Sequence, residues 1–539
     1  MLSVMLIFFA IALAVADSEA RASDVKDEPE LRVSVGEYRV IAEAVPWKWG
    51  KAEYDPAYRT TELEGEPHYI RLPRYLPVHA TIPTMARHPL TGDLVVIYSP
   101  YHDGSEEYPA SGLCVSRDGG WTWTPQKLVR DLGYAWPCGR GWISLNFYTG
   151  YEADHPNQVR ACVMRSEDGL NWHLEKPDPI ISFPENMHPQ PSWEGDEGGL
   201  VYGYAKSLRG IYKCPASVYP AKRIEEHDGA LYACGYGQFG KDAEFRNFLI
   251  KSDDQGHSWK FFADIGKFYE PDFCWLANGD MIAEARCHYW EPRPLLQTRS
   301  TDGGRTWSES INAPGVELIT AEDRTWKDPE GRIYKVHGGA NIDPVLLQMD
   351  SGLLVLAYGR PELKLRFSLD GTGNYWDYRT EIIPKYAVKD GKPWAFPVGA
   401  TPTHQMCGMV KLSKRTVLIA SNIYGYSPSG DPEKGRDVVF VVPVSMRRSG
   451  EGNSPPRISG PHKVGCKPGR EVEVRFALSD PDGDWVRIVC PNDRDVEIHG
   501  NAINWRMPWG FKGSKNITVI AEDAWGARSK PFALTISGD

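Results

Sequence analysis

The chain has 539 residues, too many for one ordinary domain and enough for a large scaffold with a smaller unit beside it. Its formal net charge of −10 argues against nucleic acid as the main partner, while leaving room for a local basic pocket. Hydrophobic residues make up 41%, enough for a core, and 19 Trp with 26 Tyr suit both strands and surfaces on which sugars stack.

From the N-terminus, residues 5–15 are an apolar run too short for a comfortable membrane span, and Ala20-Arg21-Ala22 is a small-x-small cleavage site. Residues 1–22 therefore read as a signal peptide, with a retained anchor as the alternative, and the mature chain, with no later bilayer-length run, is expected to be secreted or periplasmic. Residues 31–44 alternate apolar and polar side chains and read as one strand. Further strand patterns begin at Ala80, Gly141, Gly229, Glu270, Ala340 and His404. The gap 184–220 holds Gly, Pro and aromatic residues and reads as a loop over a site. Residues 448–456 form a Gly/Ser/Pro linker. Beyond it, short alternating runs between turns read as a small β-sandwich over residues 457–539.

One octet returns between these strands: Ser116-Arg117-Asp118-Gly119-Gly120-Trp121-Thr122-Trp123, then the copies starting at Ser252 and Ser300, with looser ones at Ser166 and Ser368. A short Asp bonds the turn backbone, the glycines accept positive φ, and Thr and Trp restart a strand. Copies at intervals of tens of residues mark a repeat architecture. The octet resembles the Asp box (S-x-D-x-G-x-T-W) of sialidases and other β-propellers. That resemblance covers most of residues 31–447 and implies an all-β fold, a six-bladed propeller with seven blades as the alternative. It also implies that residues 31–44 complete the last blade, and that the boxes lie outside, away from the active site. Their Asp and Trp residues serve the repeated unit.

Sialidases combine an Arg triad for the substrate carboxylate, a Tyr nucleophile paired with a Glu, and an Asp acid/base, all near the starts of blades. Bidentate, charge-assisted bonds are why Arg is used for a carboxylate. By this resemblance Glu270 is the partner carboxylate, and Arg286 and Arg360 bind the substrate. An ordinary strand-end salt bridge is the alternative for the first two, and a polar turn for the third. Asp103 stands at about the distance of the acid/base from the first octet, with Glu106 and Glu107 as rivals; a loop carboxylate is also simply solvated. The family's first-blade Arg is replaced by Thr81, with Arg71 the nearby substitute. The nucleophile position reads Met406, whose thioether cannot attack, and His404 lies two residues earlier on the same strand face. Tyr424 and Tyr426 enter only in a shifted register. His79, His102, His288 and His337 also fall near strand ends, where His serves as base, metal ligand or plain hydrogen-bonding group.

The leading expectation is a secreted, monomeric glycosidase of sialidase-like type that removes a terminal acidic sugar from a glycan, with catalytic Asp103, Glu270 and His404 and no catalytic cofactor or metal. A polysaccharide lyase acting on uronic acids and a noncatalytic glycan-binding propeller are the alternatives. The segments Ser479-Asp480-Pro481-Asp482-Gly483-Asp484 and 521–526 resemble cadherin-like and immunoglobulin-like modules of secreted bacterial proteins. Asp480, Asp482, Asp484 and Asp523 are a candidate structural Ca²⁺ set, or a solvated Asp-rich turn. Of ten cysteines, Cys466 and Cys490 stand alone in the C-terminal region and are the expected disulfide, while Cys114, Cys162 and Cys274 sit in apolar strand patterns and read as buried thiols. The absence of Cys-x-x-Cys removes zinc binding through that motif.

Overall fold

The computed structural model describes residues 30–44, 80–100, 110–130, 132–152, 154–191, 215–241, 244–287, 294–318, 324–327, 333–336, 341–359, 363–382, 388–389, 392–393, 403–426, 436–493 and 495–538. Among these the regular elements are strands, and no helix is long and apolar enough to cross a membrane. The fold is all-β.

The strands run as successive antiparallel meanders. Thr81–Arg87, Leu94–Ser99, Ala110–Ser116 and Lys127–Arg130 form one sheet, and the sheets that begin at Tyr269–Trp275 and Ile342–Gln348 repeat its order. Two meanders headed by Tyr134–Cys138, which precedes the expected start at Gly141, and Val218–His227 merge through parallel pairing of Ile180–Ser182 with Trp259–Gly266. The last contains Thr403–Lys411, Thr416–Tyr426 and Arg436–Arg448. Val218–His227 begins a meander inside the end of the stretch expected to be a loop, because its Pro220 is accommodated at a bulge.

Both N-terminal strands, Leu31–Val35 and Arg39–Glu43, pair antiparallel with Arg436–Arg448. The expected single strand is therefore broken into two. The break falls at Gly36, where a Cβ would stand 2.7 Å from the Pro443 ring.

The first strands of the meanders pack against one another in chain order, and Thr403–Lys411 packs back on Thr81–Arg87. At this return Gly408 is seated on opposing backbone, and a Cβ there would lie 2.2 Å from Met85 N. Backbone cannot yield as a flexible side chain can. Gly408→Ala is expected to cost about 1–3 kcal/mol by overpacking, read as a lower urea midpoint.

Between the sheets the facing sides are apolar: Val355, Phe367, Ile419 and Phe440 belong to one such layer, and Leu94, Val96, Leu418 and Val441 to the next. Leu354–Gly359 is buried along its whole length, which is why its sequence is almost continuously apolar rather than alternating. Cys114, Cys162 and Cys274 are buried thiols, as their apolar surroundings predict.

The octets fold alike. In the copy at Ser300, Gly304 N donates to Ser300 Oγ (2.9 Å), Thr306 N to Asp302 Oδ1 (2.9 Å), Thr306 Oγ1 to Asp302 Oδ2 (2.6 Å) and Trp307 Nε1 to Gly304 O (3.0 Å). Asp118 and Asp254 make the corresponding bonds. The looser copies keep the Ser-to-Asp bond and the Asp-capped backbone N–H. These aspartates are occupied in holding turns.

Deeper along the first strands, Arg223 and Asp272 form a buried bidentate pair, Nε to Oδ1 at 2.7 Å and Nη2 to Oδ2 at 3.1 Å. Asp272 Oδ2 also accepts Leu346 N (2.7 Å), and Arg223 Nη2 donates to Leu346 O. One charge pair thereby joins three first strands. Glu225 lies on the same strand as Arg223, with its Oε2 sealed from water and without a donor. Burial pushes its carboxyl up to about 7; Asp272 adds to this, and Arg223 and Lys411 oppose it. A carboxyl raised in the fold stabilises it below its unfolded pKa, and that contribution is lost as pH rises through the folded value. Melting curves of Glu225→Gln and the parent should therefore diverge between about pH 5 and about pH 8, with the variant the more stable at the higher pH.

Residues 457–538 make a separate set of sheets, one of four strands and one of three, with a small pair beside them. Val474, Ile488, Ile503, Trp505, Val519 and Ile536 share their core. The expected Cys466–Cys490 disulfide is not formed: both are free thiols. In the four-stranded sheet Lys463–Cys466 is one edge and Val486–Val489 the other, with two strands between. Three strand spacings of about 4.8 Å far exceed the roughly 7 Å limit between bridged Cα atoms. Arg39 fastens this unit to the meanders, its guanidinium 4.6 Å from the Trp121 ring centroid and 4.8 Å from that of Trp485.

Candidate carbohydrate site at the bulged strand ends

Five of the six first strands, all but Tyr134–Cys138, are interrupted by a bulge. In three of them the interruption is the same: Ile82-Pro83, Glu270-Pro271 and Asp343-Pro344 stand where the register shifts between Thr81 and Thr84, Tyr269 and Asp272, and Ile342 and Val345. The residue before each proline has left-handed φ: 51° at Ile82, 55° at Glu270 and 51° at Asp343. For non-glycine residues this region is costly, and a following proline further restricts the backbone. Two residues opposite one bend the strand and re-aim the side chain. Strain repeated at one level of the fold is a reason to look there for function.

At that level Glu270 and Arg286 form an ion pair. Arg286 closes the strand Met281–Arg286 opposite Tyr269, and its Nη1 donates to Glu270 Oε1 at 3.0 Å and Oε2 at 3.3 Å. The side chains are 18% and 21% exposed, so the pair is sheltered yet open to solvent. Such a pair keeps a guanidinium oriented without sealing it away, which suits recognition of an anionic group.

Beside the pair stands an aromatic cluster. Tyr219 and Tyr236 rings are 5.3 Å apart, Phe147 stacks on Tyr219 at 5.0 Å, and Phe245 meets Tyr236 edge-on at 5.4 Å. Burial holds the Tyr236 phenol well above its ordinary pKa; Glu270, Tyr219 and Tyr134 act in the same direction, and Arg286 opposes them. Tyr236 therefore stays protonated at neutral pH and can donate a hydrogen bond, not attack as a phenolate. Sequence reasoning missed Tyr219, Tyr236 and Asp343. The recurrence of a residue followed by proline at the head of a first strand would have found Asp343.

Of the expected site residues, Glu270 and Arg286 are brought together as a pair. His404 lies in a bulge between Thr403 and Cys407, at the same end of its strand as Glu270, and Met406 falls in that bulge too. Thr81, where the family has Arg, is buried. Asp103, Arg360, Arg71, Glu106, Glu107, His79, His102, His288 and His337 lie outside the described residues. None of the described site residues belongs to a group of side chains spaced for a metal ion.

No protein-family model matches the chain, and no curated protein matches it. Among solved structures it is similar to a protein of unknown function from Dyadobacter fermentans DSM 18053, at 15% identity over 78% of this chain and 100% of that one, TM-score 0.45. It is also similar to a Penicillium chrysogenum α-L-arabinanase complexed with arabinobiose, at 13% identity over 68% and 94%, TM-score 0.38. A third likeness is to Trypanosoma rangeli sialidase in complex with sialic acid, at 14% identity over 77% of this chain and TM-score 0.40; the chain spans 59% of that protein. At such identities and scores the chemistry must be argued from the residues.

Proposed function

We propose that the meanders close as a six-bladed propeller and that the chain is a secreted, sialidase-like glycoside hydrolase that releases a terminal acidic sugar. The observation that carries this reading is the half-sheltered Glu270–Arg286 pair, held on a strained bulge beside aromatic rings. Arg286 takes the substrate carboxylate, Glu270 holds the guanidinium in place, and Arg360 and Arg71 are the further cations assigned to this role. The aromatic rings cover a sugar face. Asp103 protonates the leaving oxygen. With Met406 at the expected nucleophile position and Tyr236 protonated, attack falls to water, activated by a carboxylate or by His404.

A second reading, a lyase on a uronic-acid polysaccharide, draws on Tyr236 beside Arg286: a protonated Tyr and a cation near a sugar carboxylate are also what elimination requires. Product analysis on sialylated, uronic-acid-containing and sulfated glycans separates the two. A released monosaccharide without new ultraviolet absorbance supports the hydrolase, and rising absorbance from an unsaturated product supports the lyase. Binding without turnover on every member would sink both, and leave a glycan-binding propeller.

A further inference from the structure

We propose that residues 480–484 bind a calcium ion at the joint between the C-terminal sheets and the meanders. The run Asp480-Pro481-Asp482-Gly483-Asp484 sets a carboxylate at every second residue, and the turn folds them inward. One carboxylate oxygen from each of Asp480, Asp482 and Asp484 lies within 4.8 Å of the other two. Calcium, with bonds of about 2.3–2.6 Å, accepts oxygens spread over about 5 Å, whereas magnesium at about 2.1 Å draws them closer.

The second observation is independent of this spacing. The Asp484 side chain is 0% exposed, and neither of its oxygens has a donor in hydrogen-bonding geometry; Asp480 Oδ2 is buried and lacks one too. The Arg415 guanidinium stands 3.9 Å from Asp484 and is shared with Glu451 at 3.3 Å. A dry carboxylate among others needs a cation and hydrogen-bond or coordination partners. A bound divalent ion supplies both.

Asp523, counted with the set from sequence, has another task. Its Oδ1 accepts Trp525 N (2.8 Å) and Ala527 N (2.9 Å), and its Oδ2 accepts Asn453 Nδ2 (2.9 Å). It shapes the neighbouring turn and adds to the negative field.

The loop also touches both sides of the joint. Gly483 O accepts from Thr416 Oγ1 (3.0 Å) and from Ser413 Oγ, and Trp485 N donates to Ser445 Oγ (3.1 Å). From the linker, Ser454 N donates to Asp482 Oδ2 (2.5 Å). Calcium bound here orders the connection between the two sets of sheets.

The test uses the full chain stripped with chelator, titrated with CaCl₂ and in parallel with MgCl₂, by calorimetry and thermal melting. One equivalent of calcium should bind, raise the melting temperature by several degrees and slow proteolysis of the 448–456 linker, with magnesium weaker at equal concentration. Asp484→Asn and Asp482→Asn should each remove the calcium-dependent rise. Asp482 is only half-buried, so its variant keeps the experiment readable if Asp484→Asn misfolds. Absence of calcium heat and melting shift at millimolar CaCl₂ overturns the proposal. So does a calcium response undiminished in the variants. None of these readouts depends on the activity of the propeller.

Discussion

Arg286→Ala is expected to lower kcat/KM on an acidic glycan about a hundredfold, the kinetic equivalent of one charge-assisted contact of about 3 kcal/mol. Arg286 is partly exposed and its partner Glu270 can rehydrate, so the melting temperature should scarcely move. Arg286→Lys should recover part of the activity, because it returns the charge without the planar fork. Glu270→Gln keeps the shape of the partner and removes its charge, and should weaken turnover through Arg286. If Arg286→Ala lost stability and activity together, the pair would be a strand-end brace and not a binding group.

The second large effect lies deeper in the same sheets. Asp272→Ala leaves Arg223 buried with its carboxylate gone and Leu346 N without an acceptor, at an expected cost of about 3–5 kcal/mol. Urea denaturation should show the midpoint falling steeply. The control is Asp264→Ala, which breaks the pair with the more exposed Arg246 and should cost less than about 1 kcal/mol. The contrast separates a charge pair that ties three strands together from one that decorates a surface.

The repeat was legible because its chemistry is local. Ser, Asp, Gly, Thr and Trp of one octet bond to one another within a few residues, so their spacing in the sequence is their spacing in space. Glu270 and Arg286 were legible for a similar reason, being neighbours across one bulged hairpin. Tyr236 and Tyr219 were not, because their approach to Glu270 depends on packing between neighbouring sheets. Asp343 looked like part of an ordinary strand; the proline after it was the one sequence signal, and its φ and register mark it as the counterpart of Glu270. The Cys466–Cys490 expectation failed because isolation in a sequence says nothing about which sheet edge a strand occupies.

The most direct test of the central claim is turnover of one acidic glycan against the same glycan with its carboxyl groups reduced to alcohols. The Glu270–Arg286 reading predicts that the parent protein acts on the acidic form, that reduction removes most of the activity, and that Arg286→Ala no longer distinguishes the two. Equal turnover of both forms by the parent, or unchanged discrimination in Arg286→Ala, would contradict it.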